Sequence, residues 1–257
     1  IEAVVAAMQA HLDAAGVQDQ GCLALAIICF GGDAAALARK QRAADAGAIE
    51  AAAAALRTHP QAAGVQDHGC LALASICYVN DAAGLARRQR AADAGAIEAA
   101  VAAMQAHPQA AGVQEYGCVA LASICYVNDA AGLARKQRAA DAGAIEVAVA
   151  AMQAHPQAAG VQEQGCLALA SFCTDAAALA RKQLAADAGA IEAVVAAMQA
   201  HAQAAGVQEQ GRLALASICH GTDAAALARK QRAADAGAIE VAVAALRTHP
   251  QAAGVQA

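Results

Sequence analysis

Apolar residues recur at helical spacing throughout the chain. Ile97, Val101 and Met104 lie at positions i, i+4 and i+7, which predicts an amphipathic helix that ends at His107-Pro108. Residues 81–94 precede it and read as another helix, opened by a capping aspartate and closed by Gly95. Residues 110–126 follow it and are apolar on most of their circumference, which predicts a mostly buried helix. We call these the first (81–94), second (96–107) and third (110–126) helices.

The three-helix pattern repeats along the whole chain. The dipeptide Ile-Glu begins at residues 1, 49, 97, 145, 191 and 239, so the spacings are 48, 48, 48, 46 and 48. The short spacing reflects a two-residue deletion between Ser171 and Asp175. Counted from each Ile-Glu, the units are 1–48 (lacking its first helix), 49–96, 97–144, 145–190, 191–238 and a partial 239–257. One such unit cannot bury its own apolar stripe, so neighbouring units must stack.

Composition favours thin, closely packed layers over a deep core. Of 257 residues, 87 are alanine, aromatic residues make up 2%, and tryptophan is absent. The net charge of −5 argues against a dedicated nucleic-acid-binding protein, because neutralising phosphates requires a basic excess. The longest strongly apolar stretch, residues 20–32, is too short to span a membrane, and no signal peptide is visible. A targeting segment could lie outside this chain, which we expect to be a fragment of a longer array.

The cysteines and histidines follow the repeat. Most cysteines occur in pairs seven residues apart on a third helix, about 10.5 Å, which is too far for a disulfide. Buried, reduced thiols are predicted, and they favour an intracellular, cytoplasmic location. Histidines end the second helices, where they are expected to bond the last carbonyls of the same helix. No clustered spacing indicates a metal site, and we predict no cofactor.

No pattern indicates catalysis. The sequence contains no recognisable nucleophile–base pair, phosphate-binding glycine loop or paired carboxylates, so we predict a protein that is not an enzyme and has no small-molecule substrate. Fourteen of the 17 basic residues lie on first helices. Stacking is expected to draw them into a basic ridge, either a solvated, salt-bridged face or a surface for an anionic partner.

The repeated units resemble the armadillo family along the whole chain. The resemblance is carried by Arg-x-Gln-x-Ala-x-Asp-Ala-Gly-Ala-Ile, ending at residues 93–97, followed by an apolar helix and a helix ending Leu-Ala-Leu-Ala-Ser-Ile-Cys. It implies one all-α domain, 1–257: a right-handed superhelical α-solenoid of three-helix repeats of about 48 residues. HEAT repeats are the alternative, but they normally have two helices and lack this glycine turn.

The resemblance implies that the third helices line a concave groove for a partner protein or an extended peptide. In the family, a tryptophan and an asparagine one turn later hold the peptide backbone. Here leucine or valine takes the tryptophan position, at residues 23, 71, 119, 167 and 213, and isoleucine or serine takes the asparagine position, at residues 27, 75, 123, 171 and 217. Both signature side chains are absent. What remains is a Leu/Ser groove with an acidic entry formed by residues 19, 67, 115, 163 and 209.

Variation between units marks the candidate binding residues, although drift at exposed positions would produce the same variation. The predicted groove set is His68, Leu71, Ser75, Glu115, Tyr116, Val119, Ser123, Glu163, Leu167, Ser171, Leu213 and Ser217. The predicted variable-loop set is Tyr78, Asn80, Tyr126, Asn128 and His220. We predict a non-enzymatic scaffold for protein–protein interaction that uses these residues. The alternative is a structural subunit of a larger assembly, docked through an edge, the convex face or uncapped ends.

Overall fold

A computed structural model of the chain describes residues 1–78, 82–126, 129–175 and 178–248. These ranges contain sixteen α-helices and no strand, which confirms the all-α prediction. The chain divides into two bodies, residues 1–144 and 145–257, and each is described by itself.

The helix order matches the predicted repeat. The first body contains α1 (Glu2–Ala10), α2 (Ala15–Ile28), α3 (Ala34–Asp45), α4 (Ala48–Thr58), α5 (Ala63–Cys77), α6 (Ala82–Asp93), α7 (Ala96–Ala106), α8 (Ala111–Cys125) and α9 (Ala130–Asp141). The second contains α10 (Ala144–Ala154), which begins at the boundary, α11 (Ala159–Cys173), α12 (Leu179–Asp187), α13 (Ala190–Ala200), α14 (Ala205–Cys219), α15 (Ala224–Asp235) and α16 (Ala238–Thr248). First helices are α3, α6, α9, α12 and α15. Third helices are α2, α5, α8, α11 and α14, and the others are second helices.

Local signals set the helix ends. The Asp33 carboxylate accepts the Ala36 N–H at 2.7 Å, and Asp129 and Asp223 cap α9 and α15 in the same way. The predicted cap Asp81 lies outside the described residues. Gly95 joins α6 to α7 with φ of 75°, a left-handed conformation that a side chain would strain. These signals place the helices within one or two residues of the predicted bounds.

The third helices pack side by side within each body. Helix α2 contacts α5 and α5 contacts α8 in the first body, while α11 contacts α14 in the second. The second helix of the same triplet packs behind, as α7 does on α8. A Cβ added at Gly117 would lie only 2.5 Å from Met104 Cγ, so α7 and α8 approach closely at this glycine. Small residues therefore make the layers thin, as the composition predicted.

The cysteines behave as small apolar residues. Eight of the nine are buried, Cys219 is half-buried, and all nine are free thiols. Burial raises the pKa of Cys22 to about 12, with a further contribution from the Asp19 carboxylate. The prediction of buried, unbridged thiols is confirmed. A thiol with so high a pKa is a poor nucleophile at neutral pH.

The described part of the chain contains neither a membrane-spanning helix nor a cluster of metal-binding side chains. None of its helices is both long enough and apolar enough to cross a membrane. Within the same residues, no three His, Cys, Asp or Glu side chains are grouped so that they could hold a metal ion.

Candidate functional site

Part of the predicted groove is accessible on α5 and α8. His68 and Leu71 on α5 are half-buried, as are Glu115, Tyr116 and Val119 on α8. Because α2, α5 and α8 lie side by side, these residues share one face of the first body. This face is mixed in character, with an aliphatic strip, one phenol, one imidazole and carboxylates. Such a mixture is typical of a surface that binds a polypeptide.

The second body carries the equivalent positions with less variety. Glu163 and Leu167 on α11 are half-buried, and Leu213 on α14 is 37% exposed. Gln164 and Gln210 stand where the first body has His68 and Tyr116. The distinctive part of the predicted groove therefore lies on α5 and α8.

The four predicted groove serines are nearly buried. They are only 7–9% exposed, and they are Ser75, Ser123, Ser171 and Ser217. The equivalent position on α2 differs, because Ile27 is 66% exposed there. They therefore offer a partner very little surface.

The predicted acidic entry serves contacts between neighbouring helices. A Cβ at Gly64 would lie 3.0 Å from Asp19 Oδ1, and one at Gly112 would lie 2.5 Å from Asp67 Oδ2. Each carboxylate thus occupies the space beside the first turn of the next third helix, where the helix dipole favours negative charge. A Cβ added at Gly16, on the first described third helix, would meet no neighbouring atom within 4 Å. The glycine in this turn makes room for a carboxylate.

A titratable cluster connects α2, α5 and α8. His68 Nδ1 lies 2.6 Å from Asp19 Oδ1, and both side chains are about one-quarter exposed. Burial raises the pKa of Asp67, while His68 lowers it and Asp19 raises it further. Burial also raises the pKa of Tyr116, with contributions from Glu115 and Asp67. The cluster does not repeat along the chain, so it distinguishes one segment of an otherwise uniform array.

The predicted basic ridge is wrong, because most of its members are buried. Eight first-helix cations are only 1–4% exposed: Lys40, Arg87, Arg88, Arg135, Lys136, Arg181, Lys182 and Arg229. Six of the eight, all except Lys136 and Lys182, donate to carbonyls at or just beyond the carboxyl ends of third helices, where the helix dipole favours positive charge. Arg87 Nε donates to the Ile76 carbonyl of α5 at 2.9 Å, and Arg88 Nε donates to the Ser123 carbonyl of α8 at 3.0 Å. One first helix thereby fastens two third helices, and the ridge proposed for an anionic partner is lost.

On four of the five first helices, an exposed arginine pairs with a glutamate of a second helix. Arg138 Nε donates to Glu98 Oε1 at 2.5 Å, and Arg42, Arg90 and Arg232 pair with Glu2, Glu50 and Glu192. The Arg138–Glu98 pair forms part of a shallow depression of about 520 Å³ on the first-helix edge. These exposed pairs set the register between helices but add little stability each.

Two of the predicted loop residues are held by cations. Lys40 Nζ donates to the Tyr78 carbonyl at 2.8 Å and lies 5.4 Å from the Tyr78 ring centroid. The Arg88 guanidinium lies 5.3 Å from the Tyr126 ring centroid. Both rings remain half or more exposed, and His220 is also exposed. Asn80 and Asn128 lie outside the described residues.

A buried glutamine that was not predicted recurs once on each of the third helices α2, α5, α8, α11 and α14. Gln66 Nε2 donates to the carbonyls of Leu56 and His59, at 3.0 and 2.9 Å, and so caps the end of α4. Gln18, Gln114, Gln162 and Gln208 make the same two bonds. The sequence did contain a signal for it: the run Ala-Gly-Val-Gln begins each of these third helices, and the repeated glutamine has no role in the predicted pattern.

The prediction that each histidine bonds the last carbonyls of its own second helix is wrong, because the glutamine occupies those carbonyls. The ring of His107 lies 2.7 Å from the carbonyl of Pro60, one repeat earlier, and His59 and His201 make equivalent bonds. The histidines therefore connect neighbouring loops, and the glutamine satisfies the last carbonyls.

Comparison with models of known protein families gives no match, and comparison with curated protein sequences gives none either.

Proposed function

We propose that the chain is an armadillo-like α-solenoid. The proposal is supported by the recurring order of first, second and third helices, by the left-handed glycine before the second helix, and by third helices packed side by side. Stacked helix pairs or triplets expose long continuous faces, and repeat proteins commonly use such faces to bind other proteins.

The proposed activity is non-enzymatic binding of a partner protein or an extended peptide. The observation that carries it is the half-exposed face of α5 and α8, where His68, Leu71, Tyr116 and Val119 stand together. Tyrosine brings contact area and a hydrogen-bonding tip at low entropic cost, as at many interfaces. The His68–Asp19 bond holds the imidazole in place before a partner arrives.

A peptide-display selection against the purified chain tests this function. We expect recurrent sequences to be enriched, and the double variant Glu115→Gln/Tyr116→Ala to weaken their binding about tenfold or more. Gln105→Ala is the matched control, because Gln105 is exposed on the second helix α7, away from this face. Failure to enrich any sequence, or equal binding by the double variant, would count against the proposal.

A further inference from the structure

Three arginines occupy the same position of first helices, and all three are buried. They are Arg135 on α9, Arg181 on α12 and Arg229 on α15, and each is only 3–4% exposed. Each donates its Nε hydrogen to a carbonyl near the end of the preceding third helix, at 2.8–2.9 Å. Because a guanidinium stays protonated, each arginine places a full positive charge inside the protein.

A carboxylate balances this charge at Arg181. Asp175 pairs with Arg181 Nη2, and both side chains are 5% exposed. A hydrogen bond between two charged groups is stronger than one between neutral groups, and the planar guanidinium suits a carboxylate in particular. In one repeat, therefore, the Nη2 of this arginine binds a buried carboxylate.

Arg135 and Arg229 have no such partner. The Nη1 of each donates to the side-chain oxygen of an uncharged glutamine, at 3.1 Å to Gln89 and at 3.3 Å to Gln183. The Nη2 of each is buried and has no hydrogen-bond partner among the described residues. Both guanidinium groups thus bond only neutral groups of the described chain.

The carboxylates of these two repeats are engaged elsewhere. Asp129 and Asp223, the aspartates of the two linkers, accept backbone N–H groups and cap α9 and α15. Asp93 and Asp187 accept from the glutamine amides, so each is separated from the guanidinium by one side chain. A buried charge without a counter-ion is costly, which favours an anion from solution at Nη2.

The linker before Arg229 lies at the surface. His220 and Thr222 are exposed, and Gly221 is half-buried. Since Nη2 itself is buried, an anion reaches it only when a nearby segment opens, and exposed linkers open at low cost. A small anion requires the smallest opening.

We propose that Arg135 and Arg229 each bind a small monovalent anion from solution through Nη2, in the way that Arg181 binds the Asp175 carboxylate. The ligand class is a small carboxylate such as formate, and a halide shares its charge and its capacity to accept a hydrogen bond. This inference goes beyond the proposed function and does not depend on it, because neither arginine belongs to the face on α5 and α8.

Crystals of the whole chain grown in sodium bromide test the site directly, because bromide scatters X-rays anomalously and water does not. We expect an anomalous peak at hydrogen-bonding distance from Nη2 of Arg135 and of Arg229. No peak is expected at Arg181, where Asp175 holds that place. Density without anomalous signal at Arg135 and Arg229 identifies water only and overturns the proposal, as do equal peaks at all three arginines.

Hydrogen exchange of the α9 and α15 amides tests the same site in solution. At about ten times its dissociation constant, sodium formate should slow their exchange about tenfold relative to sodium isethionate, a larger anion at equal ionic strength. The α12 amides are the internal control and should not respond in the natural chain. Asp175→Asn should make them respond to formate, because it leaves Arg181 with an uncharged partner. Equal exchange of the α9 and α15 amides in the two salts, or an equal response of α12 in the natural chain, overturns the proposal.

Discussion

Each of two junctions in the second body contains one aspartate and one arginine at equivalent positions, but the aspartate has a different partner in each. The regular junction runs from Cys219 to Arg229, and the shortened junction runs from Cys173 to Arg181. In both, the arginine Nε donates to a carbonyl near the end of the preceding third helix, at 2.8 and 2.9 Å. The two junctions differ in where the aspartate lies.

At the regular junction the aspartate caps a helix. Asp223 accepts the Ala226 N–H at 2.8 Å, and α15 has 12 residues. Arg229 then has a buried Nη2 without a hydrogen-bond partner among the described residues. At the shortened junction Asp175 pairs instead with Arg181 Nη2, while α12 has only nine residues and no side-chain cap.

From this difference we infer that linker length decides whether the aspartate caps the first helix or pairs with the buried arginine. With two residues fewer, the carboxylate pairs with a buried guanidinium, and α12 has nine residues where α15 has twelve. With the longer linker it caps the helix and leaves one guanidinium nitrogen unpaired. The repeat tolerates both solutions because the arginine-to-carbonyl bond, which fastens the third helix, is the same in each.

The largest expected effect is at the shortened junction. Asp175→Ala leaves Arg181 buried without this counter-ion, and removing one member of a buried pair costs about 3 kcal/mol or more. Hydrogen exchange of the α11 and α12 amides is the suitable measurement, because repeat arrays can unfold in parts. The double variant Asp175→Ala/Arg181→Met should recover part of the loss. A loss no larger than that of Asp223→Ala would contradict the comparison.

Replacing the buried glutamine should cost the same unfolding free energy on α11 and on α14, the third helices that precede the two junctions. Gln162→Ala and Gln208→Ala each leave two carbonyls without their donor, which we expect to cost about 2 kcal/mol of unfolding free energy. Denaturant unfolding of both variants measures the cost, with the exposed Gln203→Ala as the control. Clearly unequal losses would show that the junctions differ beyond the aspartate.

Local signals made the fold predictable. The apolar stripe of Ile97, Val101 and Met104, the capping aspartates and Gly95 act within a few residues, so they fixed the helix bounds without knowledge of the neighbours. The fate of Arg87 and Arg88 depends on which third helices lie beside them, and a charged residue on an amphipathic helix ordinarily faces solvent. Their burial therefore could not be predicted from the pattern.

The candidate site was predictable to a similar extent. His68 and Tyr116 stood out because they break the repeat, and that signal needs no structure. The low exposure of the serines was not predictable, because a small residue suits a tight helix contact as well as an open groove. The recurring glutamine carried a signal, but its role appears only when the end of the second helix lies beside it.

A transplant of the shortened linker tests the cause of the difference. Asp223→Ala should cost about 1 kcal/mol in the natural chain, because it removes only a helix cap. Deleting Gly221 and Thr222 reproduces the shortened junction and should bring Asp223 to Arg229. In that background the same Asp223→Ala change should cost about 3 kcal/mol. Hydrogen exchange of the α15 amides reports both values, and an unchanged cost after the deletion would show that linker length is not the cause.

The smallest effect concerns the exposed ion pair that the shortened triplet lacks. Leu184 stands where Arg232 pairs with Glu192, and Glu146 is exposed with no ion pair in the described ranges. Leu184→Arg should restore the pair and stabilise the protein by about 0.5 kcal/mol, the usual value of an exposed pair. The gain should fall at high salt and vanish in Glu146→Gln, while Arg232→Leu should lose a similar amount. If Leu184→Arg still stabilises the protein in the Glu146→Gln background, the gain comes from packing of the arginine side chain. The ion pair would then not account for a difference between the two triplets.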